Sequence, residues 1–234
     1  MTNINQSKIK KATKVFNSVF NKYDIMNDLM SLGIHRLWKQ RLIEWMNPKK
    51  DDHLIDMATG TGDIAAAFLK RVKNQGNVTC VDPNKLMIDQ GKKKLKYLNR
   101  INWSVSNAEK LPFLDNTFDI YSVSFGVRNF SNIRMALKEA RRVLKGGGRF
   151  ICLEFSKVEN EYISKMYKAY SKTIPLLGKY IVGDAEPYDY LIKTIDEFYD
   201  QETFKKIIEE SGFNNVEYRN LSVGVVAIHS AWKI

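Results

Sequence analysis

The chain has 234 residues, 44% hydrophobic and 12% aromatic, enough to bury a sizeable core, and no Gly/Ser-rich linker or composition shift divides it. Its 37 basic against 26 acidic residues give a net charge of +11, which favours anionic partners such as polyanions or anionic lipid headgroups. No apolar run reaches the roughly 18–20 residues that cross a bilayer, the start of the chain lacks the apolar core of a secretory signal, and a cytoplasmic protein is expected.

In chain order, residues 1–50 read as a basic, helical N-terminal flap on a single domain spanning 1–234, with Lys8, Lys10, Lys11, Lys14 and Lys22 near its start. From residue 53 short β-rich runs alternate with amphipathic helical stretches, the pattern of a parallel sheet with crossover helices. HLIDM at 53–57 is a first strand and DIAAAFLKRV at 63–72 its helix. NVTCVD at 77–82 is a second strand, followed by a helix over NKLMIDQGKKKLKYL at 84–98 that carries the basic cluster Lys92, Lys93, Lys94 and Lys96. INWSVSN at 101–107 and FDIYSVSF at 118–125 are further strands, and NIRMALKEARRVLK at 132–145 is the helix before RFICLEF at 149–155. Between them Gly146, Gly147 and Gly148 are expected to end the helix and turn the chain, a backbone role that needs no ligand. Residues 157–212 form a helical insertion holding Tyr162, Tyr167, Tyr170, Tyr180, Tyr188, Tyr190 and Tyr199. Insertions after strands of an open α/β sheet lie beside the carboxyl edge where ligands bind, so a tyrosine lid over a flat aromatic substrate competes with simple packing. NNVEYRNLSVG at 214–224 and VVAIHSAW at 225–232 close the chain as two more strands.

Cys80 and Cys152 lie inside apolar runs with no Cys or His at ligand spacing, and His35, His53 and His229 are scattered, so no metal is expected. The informative stretch is Gly60-Thr61-Gly62-Asp63-Ile64-Ala65, which also fits the G-x-G-x-x-A pattern of a dinucleotide site. Both readings use the glycines for close backbone approach to a ligand. The acids separate them, because a carboxylate at Asp63 repels a pyrophosphate at the helix N-terminus. S-adenosylmethionine carries an ammonium and a sulfonium, which favour Asp56 and Asp63 nearby; a plain helix-capping role for Asp63 stays open. Val81-Asp82 ends the second strand about 20 residues on, placing an acid for ribose hydroxyls. Ser106-Asn107-Ala108-Glu109 offers a side chain and a backbone N–H to an adenine edge, and Ser122-Val123-Ser124 ends the fourth strand.

Six segments, in order over nearly the whole chain, carry a resemblance: FNSVFNKYDIMNDLMSLGIHRLWK, DMATGTGD, NAEKLPFLDNTFD, SFGVRNF, RVLKGGGRFICLEFSK and GFNNVEYRNLSVGVVAIHSAWK. The chain resembles the ubiquinone/menaquinone biosynthesis C-methyltransferases, within the class I S-adenosylmethionine-dependent methyltransferases. The resemblance implies an α/β, Rossmann-like fold with a mostly parallel seven-stranded sheet and helices on both faces. It puts cofactor contacts on Thr61, Asp82, Asn107, Ala108 and Ser124, with Gly60, Gly62 and Asp56 shaping the pocket. Thr59 departs from the small residue, such as glycine, that many family members carry.

The implied reaction is C-methylation of a polyprenylated benzoquinol or naphthoquinol ring. Arg128 and Asn129, directly after the fourth strand, are the expected catalytic residues, with Arg128 stabilising a phenolate or orienting a water and Asn129 fixing the ring oxygen. Tyr23 in the flap is a second candidate. The implied partners are the polyprenyl quinol and, through residues 8–22, an anionic bilayer at the inner face of the cell membrane. A homodimer or a quinone-biosynthesis complex is compatible with the sequence, and no nucleic acid partner is expected. The rival readings are a methyltransferase for RNA or another small molecule, and a nucleotide-binding module without catalysis. No aromatic-basic single-strand motif supports RNA.

Overall fold

Residues 53–57 alternate between two buried layers, Leu54 packing into one core and Ile55 and Met57 into the other, as a strand covered on both faces must. The structure is a computed structural model that describes residues 33–165 and 186–234, together with 28, 31, 167, 169, 170, 173 and 175. Tyr23, the basic segment 8–22 and Tyr180 therefore lie outside the described residues.

The strands are β1 (His53–Met57), β2 (Asn77–Asp82), β3 (Ile101–Val105), β4 (Phe118–Ser124), β5 (Leu144–Phe155), β6 (Asn214–Leu221) and β7 (Val226–Trp232). They form a seven-stranded sheet in the order β3-β2-β1-β4-β5-β7-β6. The first five strands run parallel, and β7 enters antiparallel between β5 and β6. The chain winds outward from β1 to β3, then returns to β4 on the other side of β1. The crevice at the carboxyl ends of β1 and β4 is thus the topological switch point, where open α/β sheets bind ligands.

The helices are α1 (His35–Met46), α2 (Asp63–Arg71), α3 (Lys85–Lys94), α4 (Ile133–Val143), α5 (Glu186–Glu197) and α6 (Gln201–Glu210). Trp38 and Leu42 of α1, Phe68 and Leu69 of α2 and Leu191 of α5 cover one face; Leu137 of α4 and Phe204 and Ile208 of α6 cover the other. Each such large apolar side chain contributes about 1.5–3 kcal/mol when fully buried. Polar side chains start three of the helices: Asn84 accepts from the Leu86 amide, Asn132 from Met135 and Asp200 from Thr203. Cys80 and Cys152 are free, buried thiols in opposite cores, and burial pushes both thiols up.

One backbone expectation is corrected. Helix α4 ends at Val143 and β5 begins at Leu144, so Gly146–Gly148 lie within the strand rather than capping the helix. The β4 partner shifts there from Leu144 opposite Phe118 to Arg149 opposite Ile120. The triplet is a bulge: Gly147 has φ 77° and donates to the Lys233 carbonyl at 2.7 Å.

Candidate cofactor and substrate site

Period-2 alternation puts Asp56 of β1 and Ser122 and Ser124 of β4 on one face of the sheet, with Asp56 directly opposite Ser122 in register. The Asp56 carboxylate is buried and accepts from Ser122 Oγ at 2.7 Å and from Thr59 Oγ1 at 2.5 Å. Desolvation outweighs these donors and raises its pKa to about 6. Thr59 thus serves as a hydroxyl donor to Asp56.

The turn from β1 into α2 leans on Asp82 at the end of β2. Its carboxylate accepts the Gly60 amide at 2.9 Å and the Asn84 amide at 2.8 Å, and burial raises its pKa to about 6. A side chain at Gly60 would meet nothing within 4 Å, so the turn opens onto free space there. Gly62 answers a different need: it has φ 87°, and a Cβ would come within 2.7 Å of Leu95 Cδ1. Across the switch point, Ala58 and Phe125 both adopt positive φ, 53° and 56°, immediately after β1 and β4. Such strain concentrates at functional sites. A Cβ on Gly126 would lie 2.4 Å from Ala58 Cβ, which accounts for the glycine in SFGVRNF.

Asp63 carries the largest departure from the local reading. Its Oδ2 accepts from Lys39 Nζ at 2.7 Å and its Oδ1 from Lys94 Nζ at 2.8 Å, and the two ammonium groups hold its carboxyl far below the usual range despite burial. The bend is therefore acidic but compensated, with Lys39 supplied by α1 and Lys94 by α3. Lys94 also donates to Thr61 Oγ1 at 3.2 Å. Lys39, Asp56, Ala58, Thr59, Thr61, Asp63, Ile64, Ser124 and Phe125 line one crevice. A groove of about 730 Å³ continues from it between α1 and α2.

At the third strand, the Ser106 amide donates to the Asp82 carbonyl at 3.3 Å, so Asn107 and Ala108 follow directly beside Asp82. Asn107 is exposed and Ala108 buried. Glu109 is buried and ties this segment to the start of α4, accepting the Ser131 amide and hydroxyl, each at 2.7 Å.

The turn after β4, Val127–Asn129, holds the two expected catalytic residues. Arg128 is buried, and its guanidinium donates to Glu154 Oε1 and to the Phe125 carbonyl, both at 2.7 Å, and to Thr194 Oγ1 at 3.4 Å. It also lies over the Phe155 ring, 5.5 Å from the centroid. Burial raises the Glu154 pKa while Arg128 opposes the rise. Asn129 Oδ1 accepts from Tyr190 Oη at 3.1 Å, so Tyr190 of the insertion reaches the site. Tyr188, two residues away, is fully buried in the core, and Tyr162 is exposed.

The structure brings Asp56, Gly60, Thr61, Gly62, Asp63, Asp82 and Ser124 around one turn and puts Arg128 and Asn129 at the end of the adjoining strand. Lys39, Lys94, Glu154 and the Tyr190 contact were missed, since no local spacing marks them. The donor set fits an adenosyl methyl donor on two observations. Ser124 Oγ is buried with no partner among the described residues, and Asp56 and Asp63 both line the crevice, which places two carboxylates where an ammonium and a sulfonium would lie.

A carboxylate holds ribose hydroxyls or a cation far better ionised than protonated, so if Asp56 and Asp82 serve an adenosyl donor in this way, S-adenosylhomocysteine affinity should fall roughly tenfold per required carboxylate between pH 7 and 5. Calorimetric titration across pH 5–8 checks this, and a flat profile refutes it. Stability has the opposite sign. With folded pKa values of about 6 against 3.8, these two acids bind more protons folded than unfolded, so their contribution falls as pH rises from about 4 to 6.

The model of the ubiE/COQ5 methyltransferase family matches residues 1–233. A ubiquinone/menaquinone biosynthesis C-methyltransferase UbiE from a Ruegeria species is 47% identical over 94% of this chain and 89% of its own length. A mitochondrial 2-methoxy-6-polyprenyl-1,4-benzoquinol methylase from Dictyostelium discoideum is 44% identical over 94% of this chain and 80% of its own. A solved SAM-dependent methyltransferase from Aquifex aeolicus shares the fold, with TM-score 0.62 and 20% identity over 84% of this chain and 89% of that one.

Proposed function

The chain belongs to the ubiE/COQ5 methyltransferase family, and on that premise we propose that it methylates a ring carbon of a polyprenylated benzoquinol or of demethylmenaquinol. When bound, S-adenosylmethionine would supply an electrophilic methyl group on its sulfonium. The chain's own task is to hold a poor carbon nucleophile in line with that methyl and to raise its electron density.

Asp82 would accept the ribose hydroxyls, Asn107 and the Ala108 amide would hold the adenine, and the unpartnered Ser124 Oγ would be available to the amino-acid end of the donor. At the substrate, loss of the ring hydroxyl proton to a water pushes charge onto the ortho and para carbons, and once one of these has taken the methyl its own proton passes to water, which restores the aromatic ring. Asn129 donates from its amide nitrogen to the resulting oxyanion, because Tyr190 already occupies its Oδ1. Arg128 acts as a positioning residue: its bonds to Glu154 and the Phe125 carbonyl fix the turn that presents Asn129. Carbon and methyl must approach to about 3–3.5 Å, so small displacements of that turn reduce the rate steeply. The observation that supports this reading most directly is the Tyr190–Asn129 contact in the turn that follows β4.

The isoprenoid tail favours lipid by roughly 0.8 kcal/mol per methylene, so the substrate resides in a bilayer. No helix among the described residues is long and apolar enough to cross a membrane. Peripheral attachment to anionic lipid through residues 8–22 would bring the enzyme to its substrate. The test supplies a demethylated polyprenyl quinol in vesicles of phosphatidylglycerol or of phosphatidylcholine. A product one methylene heavier, made faster on the anionic vesicles with salt-sensitive co-flotation, is expected. An unmethylated quinol would refute the reaction, and equal flotation on both lipids would refute the attachment.

A further inference from the structure

We propose that Lys39 is the binding group for the α-carboxylate of the methyl donor's amino-acid tail, and so selects a donor that carries that carboxylate. The inference rests on the methyl-donor reading of the crevice. Among the described residues that line it, Lys39 is the only cation, facing Asp56 and Asp63 with the buried, unpartnered Ser124 hydroxyl on the same wall. The tail of S-adenosylmethionine is a zwitterion. Carboxylates alone would attract its ammonium and repel its own carboxylate, so a site for the whole tail needs one cation among the acids.

The position of Lys39 is held by packing. The preceding Trp38 is buried, donates from Nε1 to Ser222 Oγ at 2.9 Å, and sits 6.1 Å from the Phe125 ring, itself part of the crevice wall. The Lys39 side chain is 15% exposed, and its ammonium makes one hydrogen bond among the described residues, to Asp63 Oδ2. Two of its three protons remain for a second acceptor. Lys94 on Asp63 Oδ1 keeps that carboxylate compensated while Lys39 shares itself with a second anion. Asp63 thereby orients Lys39, and Asp56 and Asp63 together leave the crevice able to take the tail's ammonium.

The test compares two ligands that differ only in the carboxylate, S-adenosylmethionine and decarboxylated S-adenosylmethionine, by calorimetric titration of the full chain. The wild type is expected to prefer the carboxylated ligand about ten- to a hundredfold, the range of a hydrogen bond to a charged group. Lys39→Met should erase that preference, weakening S-adenosylmethionine while leaving the decarboxylated ligand within about twofold, the logic of a double-mutant cycle. Lys39→Arg should retain most of it, and thermal melts of both variants report the fold. Equal weakening of both ligands by Lys39→Met, or an unchanged preference, would overturn the assignment. A wild type that binds neither ligand would instead overturn the methyl-donor reading beneath it.

Discussion

Replacing Asp82 by alanine is expected to raise the dissociation constant for S-adenosylmethionine a hundredfold or more. The carboxylate does two things at once. It accepts the Gly60 and Asn84 amides at 2.9 and 2.8 Å, which sets the backbone of the turn, and on the proposed reading its remaining lone pairs would take the ribose hydroxyls. Each charged hydrogen bond lost to the ligand is worth about 1.5–3 kcal/mol, and each buried amide left without an acceptor costs about 1–3 kcal/mol. Two such ligand bonds alone correspond to at least two orders of magnitude in affinity. Asp82→Asn should fall in between, since its amide oxygen keeps one acceptor and its NH₂ opposes an N–H already present. Calorimetry decides the matter: binding of Asp82→Ala within about threefold of wild type would remove Asp82 from the site.

Arg128→Ala is the second large effect, and it falls on stability as well as on turnover. Arg128 and Glu154 are 4% and 2% exposed at their side chains and 2.7 Å apart. Removing one partner strands a buried charge, which costs about 3–5 kcal/mol. For a chain of this length that amounts to a drop in Tm of roughly 10 °C. The stranded Glu154 escapes by protonating, and burial already raises its pKa. The folded variant then binds a proton the unfolded chain releases, so its deficit grows as pH rises above the ordinary carboxylate range. Replacing both partners, Arg128→Met with Glu154→Met, should restore most of the melting temperature, because apolar isosteres of a buried pair are often neutral. Turnover of that double variant should stay about a hundredfold low, on the scale of a lost oxyanion donor, since the turn carrying Asn129 is no longer tied to the Phe125 carbonyl. A single Arg128→Ala variant that melts with the wild type would contradict the buried pair, and a fully active double variant would contradict the positioning role.

These two residues also mark what local pattern can and cannot reveal. The place of Asp82 beside the glycine turn was legible because strand, turn and acid lie within one βαβ unit, at a spacing fixed by strand and helix geometry. Arg128 was legible as a residue at a strand end, but not as half of an ion pair, because Glu154 sits on the neighbouring strand 26 residues later. Asp63 illustrates the same limit. Its place at the start of α2 follows from sequence, whereas its counter-ions come from α1 and α3, at separations of 24 and 31 residues. The glycine triplet was misassigned for a related reason. Three glycines after a helix suit a C-cap and a β-bulge equally well in local terms, and the choice falls to the register with β4 and the Lys233 carbonyl across the strand.

The sequence by itself determined the α/β alternation, the glycine turn, the acids beside it and the family, because periodicity and short-range spacing dictate strands, helices and their ends. Only the tertiary structure decided which charges meet. Lys39 against Asp63, Arg128 against Glu154 and Tyr190 against Asn129 are pairs made by sheet order and helix packing, and an ion pair or hydrogen bond depends on ångström distances that no linear spacing encodes.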